Sequence, residues 1–246
     1  MIVLKIIKLN AIDSTNNYLK QLAKSTSLLE PTVVVTQNQL SGRGQMGNSW
    51  VSRQGQSLTF SMFKLCKGLP ADRQFDISMA VSIAIARVIS QLNTPKVSVK
   101  WPNDIMSAKK KIGGILIENV LEGSTIKYAI IGIGLNINNE AFHHLPQAAS
   151  LKMVTGNTFN VEEVFQKIIT EVFKTLEDLS ISNRENLKQE YLQNLFQIDK
   201  ISVFETPNGK RFNGIVKGVS PIGELLVSAE DESLHKFQLK EVKLIY

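Results

Sequence analysis

The stretch Lys100-Trp101-Pro102-Asn103-Asp104-Ile105, continued by Lys109-Lys110-Lys111-Ile112-Gly113-Gly114-Ile115-Leu116-Ile117-Glu118, decides how this chain is read. Val97 and Val99 alternate with Ser98 and Lys100, which predicts a short strand. Pro102 must end that strand, having no amide hydrogen to give a ladder, so Asn103 and Asp104 are expected at a strand end. After a turn through Ser107 and Ala108, the β-branched run from Ile112 to Ile117 predicts a buried strand running back, interrupted by Gly113-Gly114. Glycine inside a strand often marks the close approach of a ligand or another backbone. The turn holds Lys109, Lys110 and Lys111, and cations beside an Asn-Asp pair suit a phosphate with its metal ion. A solvated, charged surface hairpin is an equal alternative, because lysine-rich turns are ordinary.

Upstream, Leu58, Phe60 and Met62 alternate with Ser57, Thr59 and Ser61 and predict a half-buried strand over 56–63. Ile77, Val81, Ala84, Ile85, Val88 and Leu92 then mark a helix whose apolar face belongs to the core. Earlier still, Pro31-Thr32-Val33-Val34-Val35-Thr36 predicts a buried strand leading through Gln39 into Ser41-Gly42-Arg43-Gly44-Gln45-Met46-Gly47, a literal G-x-G-x-x-G. A dinucleotide fold would need a helix next and an acidic residue about 20 positions on. Neither is there: Asn48 to Gly55 is polar and loop-like, and no Asp or Glu occurs between Glu30 and Asp72. The segment reads as a long glycine-rich loop whose amides and Arg43 can order over an anionic ligand, or as a plain loop with Arg43 exposed and Trp50 a core anchor.

At the start of the chain, Ile2 to Leu9 predicts an opening strand, and Asp13-Ser14-Thr15-Asn16 carries helix-start chemistry ahead of Tyr18, Leu19, Leu22 and Ala23. As a plain N-cap, Ser14 would contribute about 1 kcal/mol. Downstream, 126–137 predicts a strand ending in Gly132-Ile133-Gly134-Leu135-Asn136, where the glycines let something flat lie against the backbone. Asn136 either reads an adenine edge or closes the turn into Asn138-Asn139. Asn160 with Glu163 resembles a capping box that opens a helix through Val161, Val164, Phe165, Ile168, Val172, Leu176 and Leu179. A second helix is expected over 184–195, and from Ile198 short β runs separated by Pro207-Asn208-Gly209 and Pro221-Ile222-Gly223 predict a small barrel.

Composition narrows the function. In 246 residues, 43% hydrophobic, there is room for one large domain and one small one, and no apolar run approaches the roughly 20 residues that span a bilayer. The first residues lack a signal-peptide cleavage pattern, so a cytoplasmic location is the default. The single cysteine, Cys66, is expected to be a buried, idle thiol, and His143, His144 and His235 give no metal-site spacing. A net charge of +6 fits a phosphate, nucleotide or acidic partner and is too scattered to indicate nucleic acid.

Four pieces in order carry a resemblance: Ser14-Thr15-Asn16, Gly42-Arg43-Gly44 with Trp50 and Ser52, Lys100-Trp101-Pro102-Asn103-Asp104 with Lys111-Ile112-Gly113-Gly114-Ile115, and Gly132-Ile133-Gly134-Leu135-Asn136. The chain resembles biotin protein ligases over nearly its whole length. The resemblance implies an α+β fold: a mixed β-sheet flanked by helices, of the class II synthetase-like biotin–lipoate transferase type, over 1–197, and a small SH3-like β-barrel over 198–246. It implies a two-step reaction in which biotin and ATP, with Mg2+, give biotinyl-5′-adenylate, and the acyl group then passes to a lysine of a biotin carboxyl carrier domain.

Residue by residue, the resemblance assigns biotin to Ser14, Thr15, Asn16, Gln39, Gly42, Arg43, Gly44, Gln45, Trp50, Lys111, Gly114 and Gly132. It assigns the nucleotide to Trp50, Lys100, Asn103, Asp104, Lys111 and Asn136, with Asp104 on the magnesium side. Lys111 matches the family's essential lysine, holding biotin's carboxylate near the α-phosphate, and Arg43 is expected to brace the loop over the ligand, the two being the catalytic pair. The loop from Ser41 to Gly55 is expected to be mobile without ligand and ordered with the adenylate.

Two departures stand out. Many members have arginine where this chain has Gln45, which leaves charge compensation beside the adenylate in doubt. Members that double as repressors carry an N-terminal winged helix-turn-helix, whereas about a dozen residues precede Ser14 here, so DNA binding is not expected. A homodimer is left open. The rivals are a lipoate ligase, disfavoured by Trp101 and by Ser41-Gly42-Arg43, and a non-catalytic biotin sensor or nucleotide binder, disfavoured by the intact Lys111 segment. Lys243 matches too loosely for assignment to the basic residue that meets ATP in some relatives.

Overall fold

The structure is a computed structural model that describes residues 4–26, 28–143, 145–177, 179 and 183–246, with the Lys67 side chain left out. Strand β1 (Lys5–Ile12), helix α1 (Thr15–Thr26), β2 (Thr32–Gln39) and β3 (Ser57–Pro70) open the chain. The first residues of the predicted opening strand, Ile2 and Val3, lie outside the described residues. Helix α2 (Gln74–Gln91) follows, then four strands, β4 (Val97–Lys100), β5 (Asp104–Ser107), β6 (Lys110–Glu122) and β7 (Thr125–Asn136). These make a seven-stranded mixed sheet in the order β1-β2-β3-β7-β6-β5-β4, with β1 and β2 parallel.

Strand alternation assigns the two faces of this sheet different work. Phe60 and Met62 of β3 and Ile131, Ile133 and Leu135 of β7 point to the face covered by α2 and by α4 (Val161–Glu177), forming the main core. Each such fully buried side chain contributes about 1.5–3 kcal/mol of hydrophobic stabilisation. On the opposite face α1 packs Leu19 and Ala23 on Val34, Phe63, Tyr128 and Ile130. That cover ends at the helix N-terminus, and beyond it the residues of β3, β6 and β7 become small: Ser61 beside Gly132, and Thr59 beside Gly134, which is beside Gly114. The strand expected to be half-buried is therefore buried on both faces, with Ser57, Thr59 and Ser61 no more than 5% exposed. Of the hydroxyls that alternation assigns to solvent, Thr59 faces the functional cavity, Ser61 is bonded to Thr15 and Asn16 of α1, and Ser57 to Asn139.

The lysine segment is a three-stranded meander rather than one hairpin. Trp101 to Asn103 turns β4 into β5, so Asp104 opens a strand that the sequence pattern did not show, and a second turn at Ala108 leads into β6. Only Lys109 sits in a turn; Lys110 and Lys111 begin β6. Ile112 is bulged out of the β5–β6 ladder, because Ile105 pairs with Gly113 while Met106 pairs with Lys111. In a regular strand residues 111 and 114 would face opposite ways, and the extra residue puts them on one face.

Helix α3 (Leu151–Thr155) is a single turn capped by Ser150, and α4 starts at Asn160, whose Oδ1 accepts from the amides of Glu162 and Glu163. Helix α5 (Arg184–Gln193) leads into a five-stranded antiparallel sheet of β8 (Ile201–Glu205), β9 (Arg211–Val219), β10 (Leu225–Ala229), β11 (Leu234–Phe237) and β12 (Lys243–Ile245). Several contacts fix this module to the larger domain, among them two polar ones. Asp76, fully buried, is paired with Arg73 and Arg184, and Arg184 also donates to the Pro221 carbonyl. Trp101 Nε1 donates to the Gly223 carbonyl at 2.9 Å.

Candidate active site

The small-residue face forms the floor of a cavity of about 540 Å³. Its geometry follows from register. Thr36, Thr59, Gly134, Gly114, Asp104 and Lys100 are successive lateral neighbours on six strands, so their side chains share one face. Side chains from elsewhere can rest on this floor because glycine leaves room. A Cβ at Gly132 would run into the Asn16 amide, and one at Gly134 into the indole of Trp50.

One end of the cavity is neutral. Thr15 N donates to Gln39 Oε1 at 3.0 Å, which turns Gln39 Nε2 away as a free donor. Asn16 Nδ2 donates to Glu118 Oε2 at 3.1 Å and to the Leu116 carbonyl at 3.4 Å, so its Oδ1 is turned to the floor, where it accepts from Ser61 Oγ and keeps one lone pair. Ser14 is buried and also caps α1, accepting from Asn17 N at 3.4 Å. Ser14 thus serves as the cap while lining the cavity.

The other end is cationic. Lys111 Nζ lies 2.6 Å from Asp104 Oδ1, and Lys100 Nζ lies 3.6 Å from Asp104 Oδ2. The Lys111 backbone is pinned by hydrogen bonds with Gln147 and Ala149. Burial pulls the Lys100 ammonium below the ordinary lysine value against the pull of Asp104, and the charges of Lys111 and Lys243 add to the lowering. The wall here belongs to the C-terminal module, with Lys240 and Lys243 lining the cavity. Lys100 also stands over the Tyr246 ring, 5.3 Å from its centroid.

The glycine-rich segment covers the middle. It is a loop with one 3₁₀ turn at Gln45–Gly47, held by Trp50 N to Gly42 O at 2.9 Å and Gly44 N to Asn48 O at 2.6 Å. Gly42 packs so close to Trp50 that a Cβ would meet the Trp50 carbonyl. The Trp50 ring rests on Gly134 with Lys111 Nζ 5.8 Å from its centroid, and its indole N–H is buried without a partner. Arg43 Nη1 donates to Asn17 Oδ1 at 2.7 Å and stands 3.7 Å from Glu118. Arg43 therefore ties the loop down across α1 and β6.

Ser14, Thr15, Asn16, Gln39, Arg43, Gly44, Gln45, Trp50, Lys100, Asn103, Asp104, Lys111, Gly114 and Gly132 all line this one cavity. Asn103 does so while anchoring its turn, with Nδ2 on the Ile115 carbonyl at 2.6 Å. Two assigned residues are not among the lining residues. Gly42 supports Trp50 from behind, and Asn136, 4% exposed, donates to the Ala149 carbonyl at 3.0 Å while its Oδ1 is buried without a partner. Sequence reading missed Thr59 and Lys240, which line the cavity, and Ser61 and Glu118, which hold Asn16 in place. The hydroxyl alternation of β3 was the available signal for Thr59 and Ser61. Cys66 is a buried free thiol, and burial pushes it up to about 11, as an idle cysteine requires. Among the described residues no group of His, Cys, Asp and Glu could hold a metal by itself.

The sequence profile of the biotin/lipoate A/B protein ligase family matches residues 9–136, more than half of the chain, and the chain belongs to that family of ligases. It is 27% identical over 239 residues to the bifunctional ligase/repressor BirA of Bacillus spizizenii, spanning 96% of this chain and 72% of that protein. Against BirA of Escherichia coli the identity is 39% over 130 residues, which is 53% of this chain and 39% of that one. The biotin protein ligase of Aquifex aeolicus, solved in complex with biotin and ATP, has the same fold: the TM-score is 0.80 at 23% identity over 98% of both chains. Among the described residues no helix is long and apolar enough to cross a membrane.

Proposed function

We propose that the protein is a biotin protein ligase: it makes biotinyl-5′-adenylate from biotin and ATP, then transfers the biotinyl group to a lysine of a biotin carboxyl carrier domain. A carboxylate oxygen of biotin attacks the α-phosphorus, and the bond to pyrophosphate breaks. The carrier amine then attacks the acyl carbon, and AMP leaves. The observation that carries this reading is the position of Lys111. It belongs to the cationic end lined by Lys100, Lys240 and Lys243 and reaches over Gly114 and the Trp50 ring toward the neutral half, which presents an acceptor at Asn16 and a donor at Gln39.

A ureido group needs both kinds of partner and no charge, so the neutral half suits biotin and offers lipoate nothing comparable. Lys111 would hold the two anions together and stabilise the charge that develops between them. Arg43 braces the loop rather than meeting the reacting atoms. The donor set for magnesium is one carboxylate, Asp104, already paired with two lysines. That fits an ion carried on the phosphates of ATP, with Asp104 as its one protein ligand, where it would neutralise phosphate charge. The ATP requirement fits a cytoplasmic location. On this reading residues 1–197 supply the catalytic domain, and 198–246 close its nucleotide end.

The test is to mix the protein with ATP, magnesium, biotin and a carrier domain and weigh the carrier. A gain of one biotinyl group is expected. Turnover of lipoate but not biotin removes the biotin assignment.

A further inference from the structure

Glu118, on β6, meets two other elements at once. Its carboxylate accepts from Asn16 Nδ2 at 3.1 Å and from Lys20 Nζ at 3.1 Å, both on α1, and it faces Arg43 Nη1 of the glycine-rich loop at 3.7 Å. Its side chain is 20% exposed, and it sits on β6 in the row next to Gly132 and Leu116, pairing with Ile130. Burial pushes this carboxyl up, but hydrogen bonds from Asn16 and Lys20 and the charges of Lys20 and Arg43 outweigh it and hold it below the usual range.

An ionised carboxylate can only accept, and that has a consequence for Asn16. Either end of an amide could face the cavity, and the two ends make opposite offers to a ligand. With Glu118 and the Leu116 carbonyl taking both Nδ2 hydrogens, Oδ1 is forced toward Gly132 and Ser61. The same carboxylate is the anion under Arg43, whose other contact is Asn17 Oδ1 at 2.7 Å. We propose that Glu118 is a positioning residue that sets the acceptor polarity of the cavity floor through Asn16 and latches the glycine-rich loop through Arg43. The ligand half of this rests on the biotin reading above, since it is a ureido N–H that the Asn16 acceptor would receive.

Glu118→Gln tests both halves. The glutamine carbonyl is drawn to Lys20 and Arg43, which turns its NH₂ toward Asn16 and drives that amide to flip, placing a donor where the ligand's own donor must sit. Biotin affinity measured by calorimetry is expected to fall about tenfold, while ATP affinity stays at the wild-type value. The double variant Glu118→Gln, Asn16→Asp exchanges the two groups, restores an acceptor on the floor and is expected to recover most of the lost affinity. Limited trypsin digestion of the protein without added ligand reads the latch, with cleavage after Arg43 and Arg53 expected to speed up severalfold in Glu118→Gln.

Unchanged biotin affinity in the single variant, equal losses for biotin and ATP, or a double variant no better than the single overturns the polarity half. An unchanged cleavage rate overturns the latch. Wild-type protein that binds no biotin brings down the biotin reading and the polarity half with it, and the trypsin arm still decides the latch.

Discussion

The two ends of the cavity are built on opposite plans. At the Asn16 end nearly every polar atom is already committed to a neighbour: Thr15 to Gln39, Asn16 to Glu118 and Leu116, Ser61 to the pair. What is left to a ligand there is the Gln39 Nε2 donor, the lone pair of Asn16 Oδ1 that Ser61 does not use, and the unpartnered Thr59 hydroxyl. At the Lys111 end the charges are poorly matched, with Lys100 and Lys111 sharing the one carboxylate of Asp104 and Lys240 and Lys243 on the opposite wall. The first plan selects by shape and hydrogen-bond direction. The second attracts anions and gains most when negative charge appears, because a preorganised cation needs no reorganisation at the moment of reaction.

The widest separation between the two plans should come from Lys111→Ala. The variant is expected to lose ~10²–10³-fold in adenylate formation, measured by pyrophosphate exchange, with circular dichroism unchanged. Near wild-type exchange would remove Lys111 from the chemistry. Gly132→Ala attacks the other end. Its new methyl group meets the Asn16 amide, which Ser61, Leu116 and Glu118 hold in place, so the floor must shift. Overpacking of this kind costs about 1–3 kcal/mol, to be read from urea unfolding, and biotin affinity should fall with it while ATP affinity holds. A variant of wild-type stability and affinity would show that the floor has more slack than the contacts indicate.

How far these two ends are legible in the sequence follows from their range along the chain. The Asn16 end begins at a helix start, a local pattern that Asp13-Ser14-Thr15-Asn16 displays openly, and α1 forms there. Its floor was harder. Ser57, Thr59 and Ser61 alternate as an exposed strand face does, and only the tertiary structure shows that Ser61 is covered by the first residues of α1, Ser57 is bonded to Asn139 and Thr59 faces the cavity. The bulge at Ile112 has no local signature at all, because a bulge is a mismatch of two strands and is defined only by the partner's register. The C-terminal wall is out of reach for the same reason. Nothing within 239–244 records that these residues stand against a turn formed about 140 positions earlier.

That long-range contact gives a smaller prediction. Trp101→Phe keeps the ring and removes the donor to the Gly223 carbonyl, so the Lys100–Asp104 turn loses its tie to the C-terminal module. A stability loss of about 0.5–1.5 kcal/mol is expected, with the KM for ATP rising and the KM for biotin unmoved. Equal rises in both would mean that the tie supports the whole cavity, and the contrast between its ends would lose one of its supports.

The smallest effect is also the most direct reading of charge. Raising salt from low ionic strength to ~1 M shortens the screening length from about 30 Å to about 3 Å and weakens attraction to exposed cations most. On the proposed reading ATP would bring several negative charges to Lys111, Lys240 and Lys243, whereas biotin would bring a single carboxylate to Lys111 and place the rest of its polar groups among uncharged side chains. The KM for ATP should therefore climb with salt more steeply than the KM for biotin, both by less than the Lys111→Ala loss. Lys240→Ala and Lys243→Ala should each flatten the ATP slope. If the two slopes are equal, or if neither substitution changes the ATP slope, the lysines of the C-terminal module line the cavity without acting on its ligand, and the cationic end reduces to Lys100, Lys111 and the aspartate between them.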